Sequence, residues 1–182
     1  MNPLPKLAAC GVALSLLFAA PAVAALKPGD RAPGFSAPAY LAGHAFNYDL
    51  ATALAKGPVV LYFFPAAHTP GCNLEAHLFS EAVDDFGARG ASLIGVTAGN
   101  TDELAAFSQE TEHCGGKFPV AADPGAKIAA GYDAVLDKKP EWSSRTSYVI
   151  ATDGTIAAVH SEMDPSHHVK AMLDALDALS GG

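Results

Sequence analysis

The sequence is short of charge, and shorter still of cysteine and tryptophan. Charged residues make up 16% of its 182 positions, against about a quarter in an average globular chain. Its three cysteines are too few for a disulfide scaffold. No Cys-x-x-Cys pair occurs, which excludes a dithiol redox motif and a zinc-finger ligand set. No Asn-x-Ser/Thr sequon suggests glycosylation. Basic residues are scarce, 11 against 19 acidic ones, for a net charge of −8. That balance argues against nucleic acid as a partner. Gly and Pro show no period, so a collagen-like or low-complexity chain is excluded. With 50% hydrophobic residues, disorder is excluded too. The length suits one domain with a sizeable core.

The longest apolar run lies at the N-terminus. Lys6 is a minimal positive region, Leu7 to Ala20 is apolar, and Ala22-Val23-Ala24 is a small-x-small cleavage site. Residues 1–24 read as a secretory signal peptide, too short and wrongly flanked for a stable membrane span. Leu7-Ala8-Ala9-Cys10 resembles an acylation box but precedes the apolar run, so Cys10 is incidental. Cleavage after Ala24 leaves two cysteines, Cys72 and Cys114. A periplasmic or secreted protein of one domain, 25–182, is expected. Disulfides persist in such a compartment.

Along that domain, Leu26 to Ala39 reads as an extended lead-in and Tyr40 to Leu50 as a hairpin. Pro58 to Phe64 is a continuous apolar run, the mark of a strand buried on both faces. A loop, Pro65 to Gly71, leads to a helix over Cys72 to Gly87, with Leu74, Leu78, Phe79, Ala82, Val83 and Phe86 on its apolar side. Ser92 to Thr97 is a second buried strand. Asn100 offers an N-cap for a helix reaching about Thr111. Phe118 to Ala121 is a short strand, and Pro124 starts a short helix. Thr146 to Ala151 and Thr155 to His160 form a hairpin around Asp153-Gly154. Asp164-Pro165 opens a last helix with a stripe of Val169, Met172, Leu173, Leu176 and Leu179. The pattern predicts one α/β domain, a mixed central sheet with helices on both faces.

The loop before Cys72 carries the chemistry. A cysteine at a helix N-terminus faces free backbone N–H groups and the positive end of the macrodipole. Both favour the thiolate, which is the nucleophilic form. Thr69 can turn its hydroxyl toward the same place, and Pro65 and Pro70 stiffen the loop.

Pro65, Thr69 and Cys72 match Pro-x-x-x-Thr/Ser-x-x-Cys, and this segment resembles the peroxiredoxin active site. Tyr62 to Pro65, Thr69 to Cys72 and Glu75-Ala76 together resemble the bacterioferritin-comigratory-protein (Q-type) branch. Gly29 to Phe35, Phe118-Pro119-Val120 to Asp123, and Arg145 to Ile150 also have counterparts there. The resemblance implies a thioredoxin-like fold and a thiol peroxidase needing no cofactor. Its substrates would be hydrogen peroxide or organic hydroperoxides, and its reductant a thioredoxin-like or other thiol. Cys72 would become a sulfenic acid, and Thr69 would align the peroxide. The Cys72 N–H would stabilise charge on the peroxide oxygens. Arg145 would favour the thiolate and stabilise the departing oxygen. Pro65 would shield the sulfur, and Glu75 would hold the arginine.

Many Q-type members carry a resolving cysteine five residues after the peroxidatic one, where this chain has His77. Cys114, followed by Gly115 and Gly116, is the candidate resolving thiol, forming a disulfide with Cys72 after local unravelling. The alternative is a one-cysteine enzyme resolved by an external thiol. A monomer or weak dimer is expected.

Seven histidines, at 44, 68, 77, 113, 160, 167 and 168, show no zincin-like spacing, so no metal site is expected. His68 could tune Cys72 by its charge, His77 reads as packing, and His167-His168 as a solvated helix start. Trp142 could wall the pocket. Competing functions are a thiol–disulfide oxidoreductase, weakened by the missing Cys-x-x-Cys, and a non-catalytic thioredoxin-fold module binding a partner or metal.

Overall fold

The computed structural model describes residues 26–181; the expected signal peptide and Cys10 lie outside them. The first strands are β1 (Ser36–Leu41) and β2 (His44–Asp49), then helix α1 (Leu50–Leu54) and β3 (Val59–Phe63). Helices α2 (Pro70–Glu81) and α3 (Val83–Ala88) lead to β4 (Ser92–Thr97), α4 (Leu104–Gln109), β5 (Val120–Ala122) and α5 (Lys127–Gly131). A small hairpin, β6 (Val135–Leu136) and β7 (Lys139–Ser143), precedes β8 (Thr146–Ile150), β9 (Ile156–Ser161) and α6 (His168–Ser180). Seven strands make one mixed sheet in the order β2-β1-β5-β4-β3-β8-β9. β3 runs parallel to β4 and antiparallel to β8.

All five residues of β3 are buried, as its unbroken apolar run predicts. Successive side chains alternate between faces. Val60, Tyr62 and Phe64 join α2, α3, α4 and α6 in one core. Val59, Leu61 and Phe63 join α1 and α5 in another. On the first face Tyr62 stacks on Phe79 with ring centroids 4.3 Å apart. Gly95 on β4 makes room for it, because a Cβ there would lie 2.7 Å from the Tyr62 ring.

The structure corrects several local expectations. β1 starts inside the expected lead-in, and its hairpin turns at Ala42 and Gly43, both with positive φ. The predicted helix over 72–87 begins at Pro70 and divides at Ala82. Its buried face is Cys72, Glu75, Ala76, Phe79 and Ser80, while Leu74 is exposed. A hydrophobic stripe misplaces this face because Glu75, a charged residue, points inward. Asn100 does not cap the following helix through its side chain. It takes a left-handed φ and donates from Nδ2 to the Ala67 carbonyl at 2.8 Å. α5 starts at Lys127 rather than Pro124, and the buried Asp123 carboxylate accepts from the Ile128 and Ala129 amides. The β6–β7 hairpin carries no strand signal in the sequence, since its residues are largely polar. Leu179, expected on the last helix's buried stripe, is exposed. Among the described residues, no helix is long and apolar enough to cross a membrane.

Candidate active site

β3 delivers the chain to the site. After Phe64 the loop is tied down at several points. Thr97 Oγ1 donates to the Pro65 carbonyl at 3.1 Å, and Ala66 forms a bridge with Gly99. Thr69 is the N-cap residue of α2, with Pro70 in the first turn. Its carbonyl accepts from the Asn73 N–H at 2.8 Å. Its hydroxyl makes no cap bond and donates instead to the Ala66 carbonyl at 3.0 Å. Cys72 is thus the third residue of the helix, within the turn whose N–H groups lack intrahelical partners. It is 1% exposed. The bounds differ from the expected helix start by two residues, yet the thiol keeps its place at the positive end of the dipole.

Arg145 reaches the same place from β8. The antiparallel register sets Phe63 opposite Thr146, which brings Arg145 alongside the end of β3. Its guanidinium is almost wholly buried and is held at three points. Nε donates to the Met163 carbonyl at 3.0 Å, Nη1 to Glu75 Oε2, and Nη2 to Cys72 Sγ at 3.6 Å. Gly71 leaves the space this needs, because a Cβ there would stand 3.0 Å from Nη2.

Glu75 is fully buried. Burial pushes its pKa up to about 8, against the pull of Arg145. Its Oε1 has no hydrogen-bond partner and lies 3.7 Å from His168 Nδ1. His168 is buried, not solvated as expected of the helix start, whereas His167 is exposed. His168 Nε2 donates to the Glu162 carbonyl at 2.9 Å, and Nδ1 accepts from Ser147 Oγ at 2.8 Å. Burial pushes its pKa down to about 4, so it is neutral near pH 7. Tyr62 lies within electrostatic reach of both thiols. Burial, then the negative ends of Cys114, Glu75 and Cys72, hold its phenol well above the usual range, with Arg145 opposing. Its hydroxyl has no partner. Sequence spacing gave no sign of His168, Ser147 or Tyr62 as members of this network.

Cys72 and Cys114 are both free thiols, so the structure is the dithiol form and the expected disulfide is not present. Cys114 is buried, in the turns after α4, and burial pushes its thiol far up, aided by Glu110. Its carbonyl accepts from Ser80 Oγ at 3.1 Å. Ser80 lies eight residues beyond Cys72 on α2, about 12 Å along the axis at 1.5 Å per residue. A disulfide needs Cα atoms within about 7 Å, and both thiols are buried in the one core that α2 covers.

His68 has a left-handed φ of 57°. Its Nδ1 lies 2.5 Å from Glu103 Oε2 and its Nε2 2.9 Å from Glu110 Oε2. The bond to Glu103 is the main cause that raises its pKa. Its charge is spent on these two carboxylates rather than turned toward Cys72. His77 is exposed, not packed. Trp142 sits under Lys139 on the β6–β7 hairpin and does not line the cleft of about 370 Å³ that reaches Arg145. A larger cavity, about 590 Å³ near Phe46, Lys56 and Pro119, touches none of the residues around Cys72.

A buried free thiol on the first turn of a helix, faced by a clamped guanidinium at the ends of two interior strands of a mixed sheet, defines a thiol-based redox protein of thioredoxin-like fold. The AhpC/TSA family profile matches residues 28–159. A Mycobacterium tuberculosis protein named "putative peroxiredoxin" is 30% identical over 150 residues, 79% of this chain and 90% of that protein. The chloroplastic peroxiredoxin Q of Sedum lineare is 28% identical over 123 residues, 67% of this chain and 64% of that protein. The crystal structure of the peroxidoxin BcpB from Mycobacterium tuberculosis is similar with a TM-score of 0.74 at 30% identity, over 85% of this chain and 98% of that one. The chain belongs to the AhpC/TSA family and is a thiol-dependent peroxidase similar to the Q-type peroxiredoxins.

Proposed function

We propose that Cys72 is the peroxidatic thiol and that Arg145, Thr69, Pro65 and Glu75 form its machinery. The carrying observation is the 3.6 Å contact between Arg145 Nη2 and Cys72 Sγ. A positive group so placed favours the thiolate and meets the charge that forms during attack. The Cys72 thiolate attacks one oxygen of the peroxide. The S–O bond forms, the O–O bond breaks, and the departing oxygen leaves as water or an alcohol once protonated. Cys72 is oxidised to the sulfenic acid. Thr69 orients the peroxide by rotating its hydroxyl away from the Ala66 carbonyl, and Pro65 screens the sulfur from bulk water. Glu75 and the Met163 carbonyl act through Arg145, fixing its plane.

Cys114 resolves the sulfenic acid. Its sulfur attacks Cys72 Sγ, a disulfide forms and water leaves. A thioredoxin-like dithiol then returns both residues to thiols. The supporting features are the free state of Cys114, its seat against α2, and Gly115 and Gly116, both with positive φ, which ease a local rearrangement. Residues 1–24 direct the chain out of the cytoplasm, and a monomer is the working unit. Peroxide consumption by the 25–182 protein with a dithiol reductant tests the assignment. It is lost in Cys72→Ser and sharply reduced in Arg145→Ala; full activity in Cys72→Ser would overturn it.

A further inference from the structure

His68 lies 42 positions before Glu110, yet it converges in space with Glu110 and its near neighbour His113. His68 Nε2 lies 2.9 Å and His113 Nε2 3.3 Å from the same oxygen, Glu110 Oε2. One donor atom from each lies within 4.8 Å of the others. A tetrahedral ion with bonds of 2.0–2.1 Å has ligand–ligand edges of about 3.4 Å, so small shifts would seat one. The donor set, two imidazoles and one carboxylate, suits zinc and leaves a fourth position for water. A second, independent feature points the same way. The other ring nitrogen of His68, Nδ1, is held by Glu103 Oε2 at 2.5 Å. A carboxylate on the far nitrogen is the usual outer support of a metal-bound histidine, fixing its tautomer and orientation. Phe107 packs against both rings, with centroids 5.4 and 4.8 Å away, and forms the apolar wall of the cluster.

We propose that His68, Glu110 and His113 form a divalent transition-metal site, with zinc the best-fitting ion and Glu103 supporting His68. Its position gives it a consequence. His68 belongs to the loop four residues before Cys72, and His113 adjoins Cys114. A metal bound there staples together the two segments that must rearrange for the disulfide to form. The site therefore slows resolution while leaving the thiol groups uncoordinated. This consequence rests on the resolving role given to Cys114; the metal site itself does not.

Titration of the reduced 25–182 protein with zinc against a chromophoric chelator tests the site. One equivalent is expected per chain. Affinity should fall at least tenfold in His113→Gln and in Glu110→Gln, and persist in the Cys72→Ser/Cys114→Ser double variant. Zinc should also raise the melting temperature of the wild type but not of folded His113→Gln, and slow amide exchange in segments 66–70 and 110–116. No stoichiometric binding, binding unchanged in both single variants, or binding abolished by the double serine variant would overturn the site. After one equivalent of peroxide, zinc should slow disulfide formation several-fold in the wild type. Equal rates with and without zinc would overturn the staple. A metal-free wild type that never forms the disulfide would instead remove Cys114 from its resolving role and the staple with it, while the titration judges the site.

Discussion

Arg145 holds its Nη2 3.6 Å from the sulfur of Cys72, although 73 positions separate the two in sequence. The guanidinium cannot drift, because its other two faces are engaged by Glu75 and by the Met163 carbonyl. A donor fixed before reaction needs no reorganisation as charge develops, and that is where electrostatic catalysis gains most.

Replacing Arg145 should therefore harm both rate and fold. Arg145→Ala is expected to lower kcat/KM for hydrogen peroxide by roughly 100-fold or more, on the scale of losing one fixed donor to a charged transition state. It also leaves the buried Glu75 carboxyl, already raised to about 8 and pushed further up without the guanidinium, protonated and short of a hydrogen-bond partner, at a cost of about 1–3 kcal/mol. Arg145→Ala/Glu75→Leu should recover much of the stability and none of the rate. Stopped-flow peroxide kinetics beside thermal melts check this, and recovery of both together would refute it. Arg145→Lys should fall between, since an ammonium keeps the charge but not the three-way fork.

Cys114→Ser should uncouple the first chemical step from turnover. The burst of peroxide consumption, about one equivalent, is expected to remain, with a sulfenic acid on Cys72 that a dimedone probe traps in mass spectra. Steady turnover with a dithiol reductant should fall at least tenfold. Unimpaired turnover would show that an external thiol resolves Cys72.

His168 makes stability depend on pH. Its folded pKa of about 4 lies below the ordinary histidine value of 6.5. Between those values the unfolded chain binds a proton that the native chain does not, so this residue's contribution is present above pH 6.5 and lost as pH falls through 4. The whole effect is at most about 3 kcal/mol. Glu75 Oε1, Ser147 Oγ, Arg145, His160 and the Glu162 carbonyl face the ring. Glu75, raised to about 8, acts with the opposite sign, stabilising as pH falls. The difference between wild type and His168→Gln isolates the histidine. Urea midpoints from pH 4 to 7 should converge toward acid, and parallel curves would contradict the assignment.

Tyr62 carries a buried hydroxyl with no partner. Removing an unsatisfied polar group releases its desolvation cost. Tyr62→Phe is expected to be neutral to stabilising, by up to about 1 kcal/mol, with the stack on Phe79 kept. Denaturant titration decides it. A loss above 1 kcal/mol would mean that the hydroxyl has a partner in solution.

Some of this was legible from local pattern. The run from Pro58 to Phe64 reads as a buried strand because its side chains are apolar on both faces, and β3 is one. The Asp153-Gly154 hairpin also forms where the turn chemistry places it, with Gly154 at positive φ. The face of α2 was misjudged by periodicity, since a buried Glu75 looks exposed to any hydrophobicity count. His168 was misjudged for the same reason. Glu75 and His168 go inside because Arg145, Ser147 and the Glu162 carbonyl await them, and no local hydrophobic pattern announces those partners. Asn100 spends its side chain on the Ala67 carbonyl because the active-site loop lies beside it, which its own neighbourhood does not announce.

The sequence by itself determined an apolar strand running into a Pro-bounded loop and a thiol on the first turn of a helix, because such features depend on residues within a few positions of one another. The tertiary structure alone decided what surrounds that thiol. The antiparallel register of β3 and β8 sets Arg145 against Cys72, α2 turns Glu75 inward to meet it, and His168 closes the far side. The same folding gathers His68, Glu110 and His113. Each of these groupings is a buried or half-buried polar contact between distant segments, and its energy depends on distance and desolvation, quantities that exist only once the chain has folded.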